Sequence, residues 1–227
     1  MKLFGKALAV SLMLFCGSAM AEDYKWEFVK EKNGTKVWSA DVKGQDLLLF
    51  KGSKTIDVPI EKAMGALFTR DVEKLSNIKD FLGSAKRIET KPNYVFQQEL
   101  YDLPWPVSNR EFLLKYNMNF DKANKSVRVD WTTVDEHPDF AVHDGDVRAA
   151  TNGYWEFKRT KDNKTEAFVQ VLVDLRGSLP KFLVNIINSD WAPNTVGGIE
   201  KEAPTAKPHQ DTIRALGLKG ARPTLSH

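Results

Sequence analysis

Between residues 84 and 174 the chain reads as strand-length segments joined by turns of only a few residues, and strands joined that tightly must pair antiparallel. Ala85–Thr90 and Tyr94–Leu100 flank Lys91-Pro92-Asn93. Glu111–Phe120 and Ser126–Val134 flank Asp121–Lys125. Gly145–Ala150, continuing through Tyr154–Lys158, faces Thr165–Asp174 across Lys161-Asp162-Asn163-Lys164. Upstream, Trp26–Glu31 and Thr35–Ala40 flank Asn33-Gly34, a strong short-range hairpin signal, and Leu47–Ile56 reads as a third strand. About nine strands of this kind form a sheet whose apolar face needs a cover.

Helical patterning supplies that cover. Asp57 is placed to cap a helix with Ile60, Met64, Leu67 and Phe68 on one face, and Val72, Leu75 and Ile78 predict a second short helix. Leu179, Phe182, Leu183, Ile186 and Ile187 recur at helical spacing, with Pro180 suited to a first turn. Pro193 and Gly197-Gly198 argue for a kink or an early end beyond Trp191. After Ala203 the prolines Pro204, Pro208 and Pro223 among polar residues predict a loosely attached tail over 203–227. The fold class read from periodicity is α+β, one long C-terminal helix across a curved antiparallel sheet.

The first residues carry a different message. Lys2 and Lys6 precede an apolar run from Ala7 to Phe15, and Ser18-Ala19-Met20-Ala21 offers small residues where a leader peptidase cuts. This predicts a signal peptide over 1–21, cleaved after Ala21, and hence a periplasmic or secreted protein. The run is shorter than the roughly 20 residues of a membrane span. Cys16, the one cysteine, lies inside this leader, and Phe15 before it argues against a lipoprotein cleavage. The mature chain then has no thiol, so its stability must come from an ordinary core. Without Lys2 and Lys6 the 33 basic residues become 31 against 30 acidic ones, about +1. That balance gives no reason to expect nucleic-acid binding.

Several stretches carry a likeness to a known family. Pro104-Trp105-Pro106-Val107-Ser108-Asn109-Arg110-Glu111-Phe112 resembles the hallmark of START (StAR-related lipid transfer) domains, a Pro-rich corner leading into a strand that begins Arg-Asp-Phe. Glu111 stands where Asp is usual. Lys32–Trp38 resembles the family's first hairpin, Val147-Arg148 and Gly153-Tyr154-Trp155 its middle strands, and Asp174–Asn185 the approach to its last helix. The likeness spans about Trp26 to Glu202. It implies a helix-grip fold over residues 22–202, whose sheet wraps the C-terminal helix around a tunnel for one lipid. It further implies non-catalytic binding and transfer of a hydrophobic molecule, transient contact with a membrane surface, and no cofactor.

Strand parity nominates the wall of such a tunnel. From Arg110, alternate positions are Phe112, Leu114, Tyr116, Met118 and Phe120, an apolar inner face, while Glu111, Leu113, Lys115, Asn117 and Asn119 face outward. Trp131, Val169, Phe182, Leu183 and Ile186 complete the candidate wall, with Phe182, Leu183 and Trp191 the candidate gate at a bilayer. The resemblance implies that Glu99 matches the acidic member of an acid–Arg pair in sterol-binding relatives. The Arg position holds Tyr116, so a Glu–Tyr hydrogen bond would take the pair's place. Tyr94, Phe96 and Leu100 support the opposite parity, which turns Glu99 to solvent. Arg110 either meets the ligand or pins the Pro-rich corner through backbone carbonyls.

Other chemistry is sparse. His137, Asp139, His143, Asp144 and Asp146 crowd one segment without a tight ligand spacing, which reads as a solvated loop rather than a metal site. No mature cysteine and no Gly-x-Ser-x-Gly motif is present. The enzyme alternative is a cavity cyclase or dehydratase of the polyketide type, with Glu99 and Tyr116 as acid–base groups. The sequence leaves phospholipid, fatty acid, hopanoid, sterol and quinone all open as ligands.

Overall fold

A computed structural model describes residues 24–43, 47–68, 82–91, 94–103, 105–177, 179 and 181–219. The predicted leader, the predicted helix around Val72–Ile78 and residues 220–227 lie outside them.

Ten strands form one curved sheet: β1 (Glu27–Lys32), β2 (Thr35–Ala40), β3 (Leu48–Ile56), β4 (Leu82–Lys91), β5 (Tyr94–Tyr101), β6 (Arg110–Asp121), β7 (Ser126–Thr133), β8 (Val147–Arg148), β9 (Ala150–Arg159) and β10 (Thr165–Asp174). Their order across the sheet is β1-β2-β3-β10-β9-β7-β6-β5-β4, all antiparallel, and the two-residue β8 lies parallel beside β6. Local turns account for most of these neighbours. Asn33 (φ 53°) and Gly34 (φ 75°) take the left-handed backbone that the tight β1–β2 hairpin needs. Two joints are not set by local turns: β7 with β9, across residues 134–149, and β3 with β10, running from Ile56 opposite Thr165 to Leu48 opposite Val173.

Among the described residues three helices cover this sheet: α1 (Ile60–Phe68), α2 (Lys181–Glu202) and α3 (Gln210–Leu216). Asp57 lies outside α1 and pairs with Lys164 at 3.5 Å, while the carbonyl of Pro59 accepts the first amides, from Lys62 and Ala63. The long helix α2 does not stop near Trp191. It runs through Pro193 to Glu202 because Ala192, Val196 and Ile199 are wholly buried against the sheet. That packing offsets the roughly 3 kcal/mol that an interior proline costs a helix. Gly52 permits the approach, since a Cβ there would lie 2.7 Å from Ala192 Cβ. Three ion pairs tie the helix to the first strands, Asp190 to Lys30 and to Lys32, and Glu200 to Lys54 at 2.5 Å.

The segment after Ala203 is docked rather than loose, as far as residue 219. Helix α3 is capped by His209, which accepts from the Thr212 amide, and by a left-handed Gly217. Leu216 and Thr212 are fully buried, and the His209 amide donates to Glu61 of α1 at 2.8 Å. Composition misled here: Leu216, with Ala206 and Leu218 also packed against the core, anchors a segment that is otherwise largely polar and proline-rich.

Candidate functional site

Beneath α2 the inner face of the sheet leaves a cavity of about 980 Å³, its mouth included. Apolar and aromatic side chains make most of the wall: Phe50 from β3, Phe112 and Leu114 from β6, Trp131 from β7, Trp155 from β9, Val171 and Val173 from β10. Trp191 of α2 closes it, with its ring edge-on to Phe50 at 5.6 Å and tilted against Trp155 at 6.0 Å. Trp191 is therefore a half-buried wall residue.

The nominated residues divide as follows. Glu99, Arg110, Phe112, Leu114, Tyr116 and Trp131 line the cavity. Met118 and Val169 are buried in the core and are not on its wall, because they lie farther along their strands, where helix and sheet meet without a gap. Helix α2 includes Phe182, Leu183 and Ile186, whose side chains lie outside the described residues. Phe50, Tyr101, Trp155, Val171 and Leu175 were not nominated. Val171 shares the parity of Val169, and Tyr101 that of Glu99, so strand period alone held that signal.

Glu99 faces inward and is 9% exposed. Val95, Gln97 and Glu99 form the inner face of β5, and the apolar Phe96 is buried on the outer side, against His137 and Phe140 at 5.4 and 6.3 Å. An apolar residue thus marked the covered outer face, which is why parity read from hydrophobicity pointed the wrong way. The Glu99 carboxyl collects three donors. Gln97 Nε2 and the Tyr116 hydroxyl reach Oε1, the latter at 3.1 Å, and the Tyr101 hydroxyl reaches Oε2 at 3.0 Å. Burial raises its pKa, against the pull of these hydrogen bonds. Tyr101 is held well above the ordinary phenol value by burial and by the neighbouring Glu99 charge.

Arg110 clasps backbone. It is 3% exposed; Nε donates to the Leu175 carbonyl at 2.6 Å, Nη2 to Arg176 at 3.0 Å, and Nη1 to Ser108 at 2.5 Å. The guanidinium joins the Pro-rich corner to the approach to α2, and Asn109 Oδ1 closes the corner by accepting from the Leu103 amide at 3.0 Å. Trp105, joined to Pro106 by a cis peptide bond, stands 92% exposed on that corner.

On the opposite face of β6 the expectation of solvent fails at its first positions. Glu111 and Leu113 are fully buried beneath residues 134–149. Glu111 pairs with Arg148 at 2.8 Å and with His143 Nδ1 at 2.6 Å. Among the described residues, Glu111, His143 and Asp146 bring ligand atoms within 4.8 Å of one another. The Arg148 guanidinium already neutralises Glu111 there, and Nε and Nη1 of Arg148 find no hydrogen-bond partner among the described residues. A cation at this spot would meet that charge, so the cluster reads as a clamp for the covering loop. His137, Asp139 and Asp144 do not join it.

Comparison with known proteins places this geometry. No family model matches the chain. A curated relative, Uncharacterized protein PA1579 of Pseudomonas aeruginosa, is 24% identical over 200 residues, covering 86% of this chain and 94% of the relative. Human STARD10 superimposes with a TM-score of 0.66 at 22% identity, over 79% of this chain and 73% of that one. A STAR-related lipid transfer protein from Xanthomonas axonopodis gives 0.64 at 20% identity, over 79% and 97%. Human StAR-related lipid transfer protein 5 gives 0.66 at 16% identity, over 82% and 89%. The chain has the helix-grip fold of START-related lipid transfer domains, in which a curved sheet wraps a long C-terminal helix.

Proposed function

We propose that this protein binds one lipid or other hydrophobic molecule non-covalently in the cavity beneath α2 and carries it through the periplasm. The carrying observation is the wall itself, a concave surface made mostly of aromatic and aliphatic side chains, with Glu99, Tyr101 and Tyr116 as one polar cluster in it. A guest burying about 300 Å² of apolar surface gains roughly 7 kcal/mol, whereas one mismatched polar group costs about 1–3 kcal/mol. Burial would set affinity, and the polar cluster would set selectivity. The periplasmic setting rests on the leader-like residues 1–21. Loading and release then imply transient contact with a membrane surface. Native and denaturing mass spectra of the mature protein test the reading. A stoichiometric lipid released on denaturation supports it; an empty protein that takes up none of a broad lipid panel removes it.

A second reading, a polyketide-type cyclase, is favoured by one observation: a buried carboxyl of raised pKa faces the cavity beside two phenols. Glu99→Gln should then abolish turnover of an aromatic polyketide substrate and leave its binding intact. Loss of binding together with turnover would remove this reading.

A further inference from the structure

We infer that the outer face of the sheet carries a second binding site, back to back with the cavity, and that it takes a neutral glycan chain lying across the strands.

The site is built on one cross-strand row. Asp130, Tyr154, Gln170, Lys51, Trp38 and Phe28 stand opposite one another in register on β7, β9, β10, β3, β2 and β1. They alternate along their strands with Trp131, Trp155 and Val171 of the cavity wall, so they point the other way. Neighbouring strands lie about 4.8 Å apart, which makes the row about 24 Å long. Asn152 and Leu172 pair in the next row. Around these two rows the sheet holds a hollow of about 620 Å³, its mouth included, edged by Tyr24 and Arg128. That is the size of a small-molecule site.

The chemistry of the hollow decides what it takes. Arg128 Nε donates to Asp130 Oδ1 at 2.7 Å, and Asn119 Nδ2 donates to Oδ2 at 3.2 Å. Among the described lining residues these are the one cation and the one acid, so their charges cancel. The guanidinium lies 3.5 Å over the Tyr154 ring, and beside the hollow Lys51 Nζ lies over the Trp26 ring at 4.1 Å. The side-chain amides of Asn152 and Gln170 and the Tyr154 hydroxyl make no hydrogen bond among the described residues. Each of these groups both donates and accepts. The carbon surface between them is aromatic at Tyr154 and Trp38 and aliphatic at Leu172. A pyranose ring presents the same alternation, hydroxyls that donate and accept around its rim and C–H faces that lie on aromatic rings. A lipid tail laid here would leave the amides and the phenol unpaired. Repetition across six strands suits a chain of rings better than a single sugar.

The test is a titration of the nitrogen-15-labelled mature protein with cellopentaose, maltopentaose and penta-N-acetylchitopentaose, each up to about 10 mM. A galacturonate pentamer serves as the anionic control. At least one neutral pentasaccharide should bind with a Kd of about 1 mM and shift the amide signals of Lys51, Asn152, Tyr154 and Gln170, with the cavity empty or filled. Asn152 is exposed, so Asn152→Ala leaves the core untouched. It should weaken binding about fivefold, and Tyr154→Ala about tenfold. Four results would each overturn the inference: no binding by any neutral probe, shifts confined to the cavity wall, an unchanged Kd in Asn152→Ala, or tighter binding of the galacturonate pentamer. None of them bears on the cavity beneath α2, whose reading stands or falls on the mass spectra.

Discussion

The Tyr116 hydroxyl donates to Glu99 Oε1 across 3.1 Å, although Tyr116 pairs in register with Val95 and not with Glu99. Its ring leans along the inner face of the sheet past Gln97 to reach the acid. Tyr116→Phe keeps the ring and removes one of three donors to a buried carboxyl. The expected loss is about 1–3 kcal/mol of stability in denaturant unfolding. A variant as stable as the parent would show that this bond contributes nothing.

The same acid makes stability depend on pH. Burial is the largest influence on Glu99 and lifts its pKa above the ordinary value of 4.5, while the bonds from Gln97, Tyr101 and Tyr116 pull downward. As pH rises past about 4.5, the unfolded chain releases this proton before the folded one does. The folded state then binds more protons, so stability falls as pH climbs through that window and stays lower above it. Glu99→Gln lacks this titration. Its melting temperature should gain on that of the parent as the buffer moves from acid to neutral, and a gap that does not change with pH would contradict the shift.

Arg110→Lys tests the clasp between the Pro-rich corner and the approach to α2. One ammonium cannot fork to the carbonyls of Ser108, Leu175 and Arg176. The expected cost is about 3 kcal/mol, a melting temperature lower by roughly 6–12 °C in a chain of this size. Calorimetry of the two proteins decides it; equal melting temperatures would leave the clasp without energetic weight.

Gly65→Ala tests the docked C-terminal segment. Alanine is the better helix former by about 1 kcal/mol, yet its Cβ would stand 2.0 Å from the Lys207 carbonyl oxygen. A backbone atom does not yield as a flexible side chain does, so the segment must move off α1. Trypsin should cut after Arg214 roughly tenfold faster in the variant. Unaltered resistance would mean that the segment is held elsewhere.

The strands and their turns were legible because the information is local. Alternation along Arg110–Phe120 and the Asn33-Gly34 turn depend on neighbours a few residues away. The inner face of β6 followed directly, and with it Phe112, Leu114 and Tyr116 on the cavity wall. Register with a distant partner is not local, so the β3–β10 joint was silent in the sequence.

What the sequence by itself determined is the period of each element, and hence an antiparallel sheet with a long helix to cover it. Only the tertiary structure decided what lies over each face. Phe96 is apolar yet turns outward under His137 and Phe140, and Glu99 is acidic yet turns in toward Tyr101 and Tyr116. Helix α2 runs on through Pro193, and Leu216 pins a segment that composition alone reads as loose. The physical reason is common to these cases. Burial belongs to a surface formed by residues far apart in the chain, and its energy exceeds the local preferences of the residues that it covers.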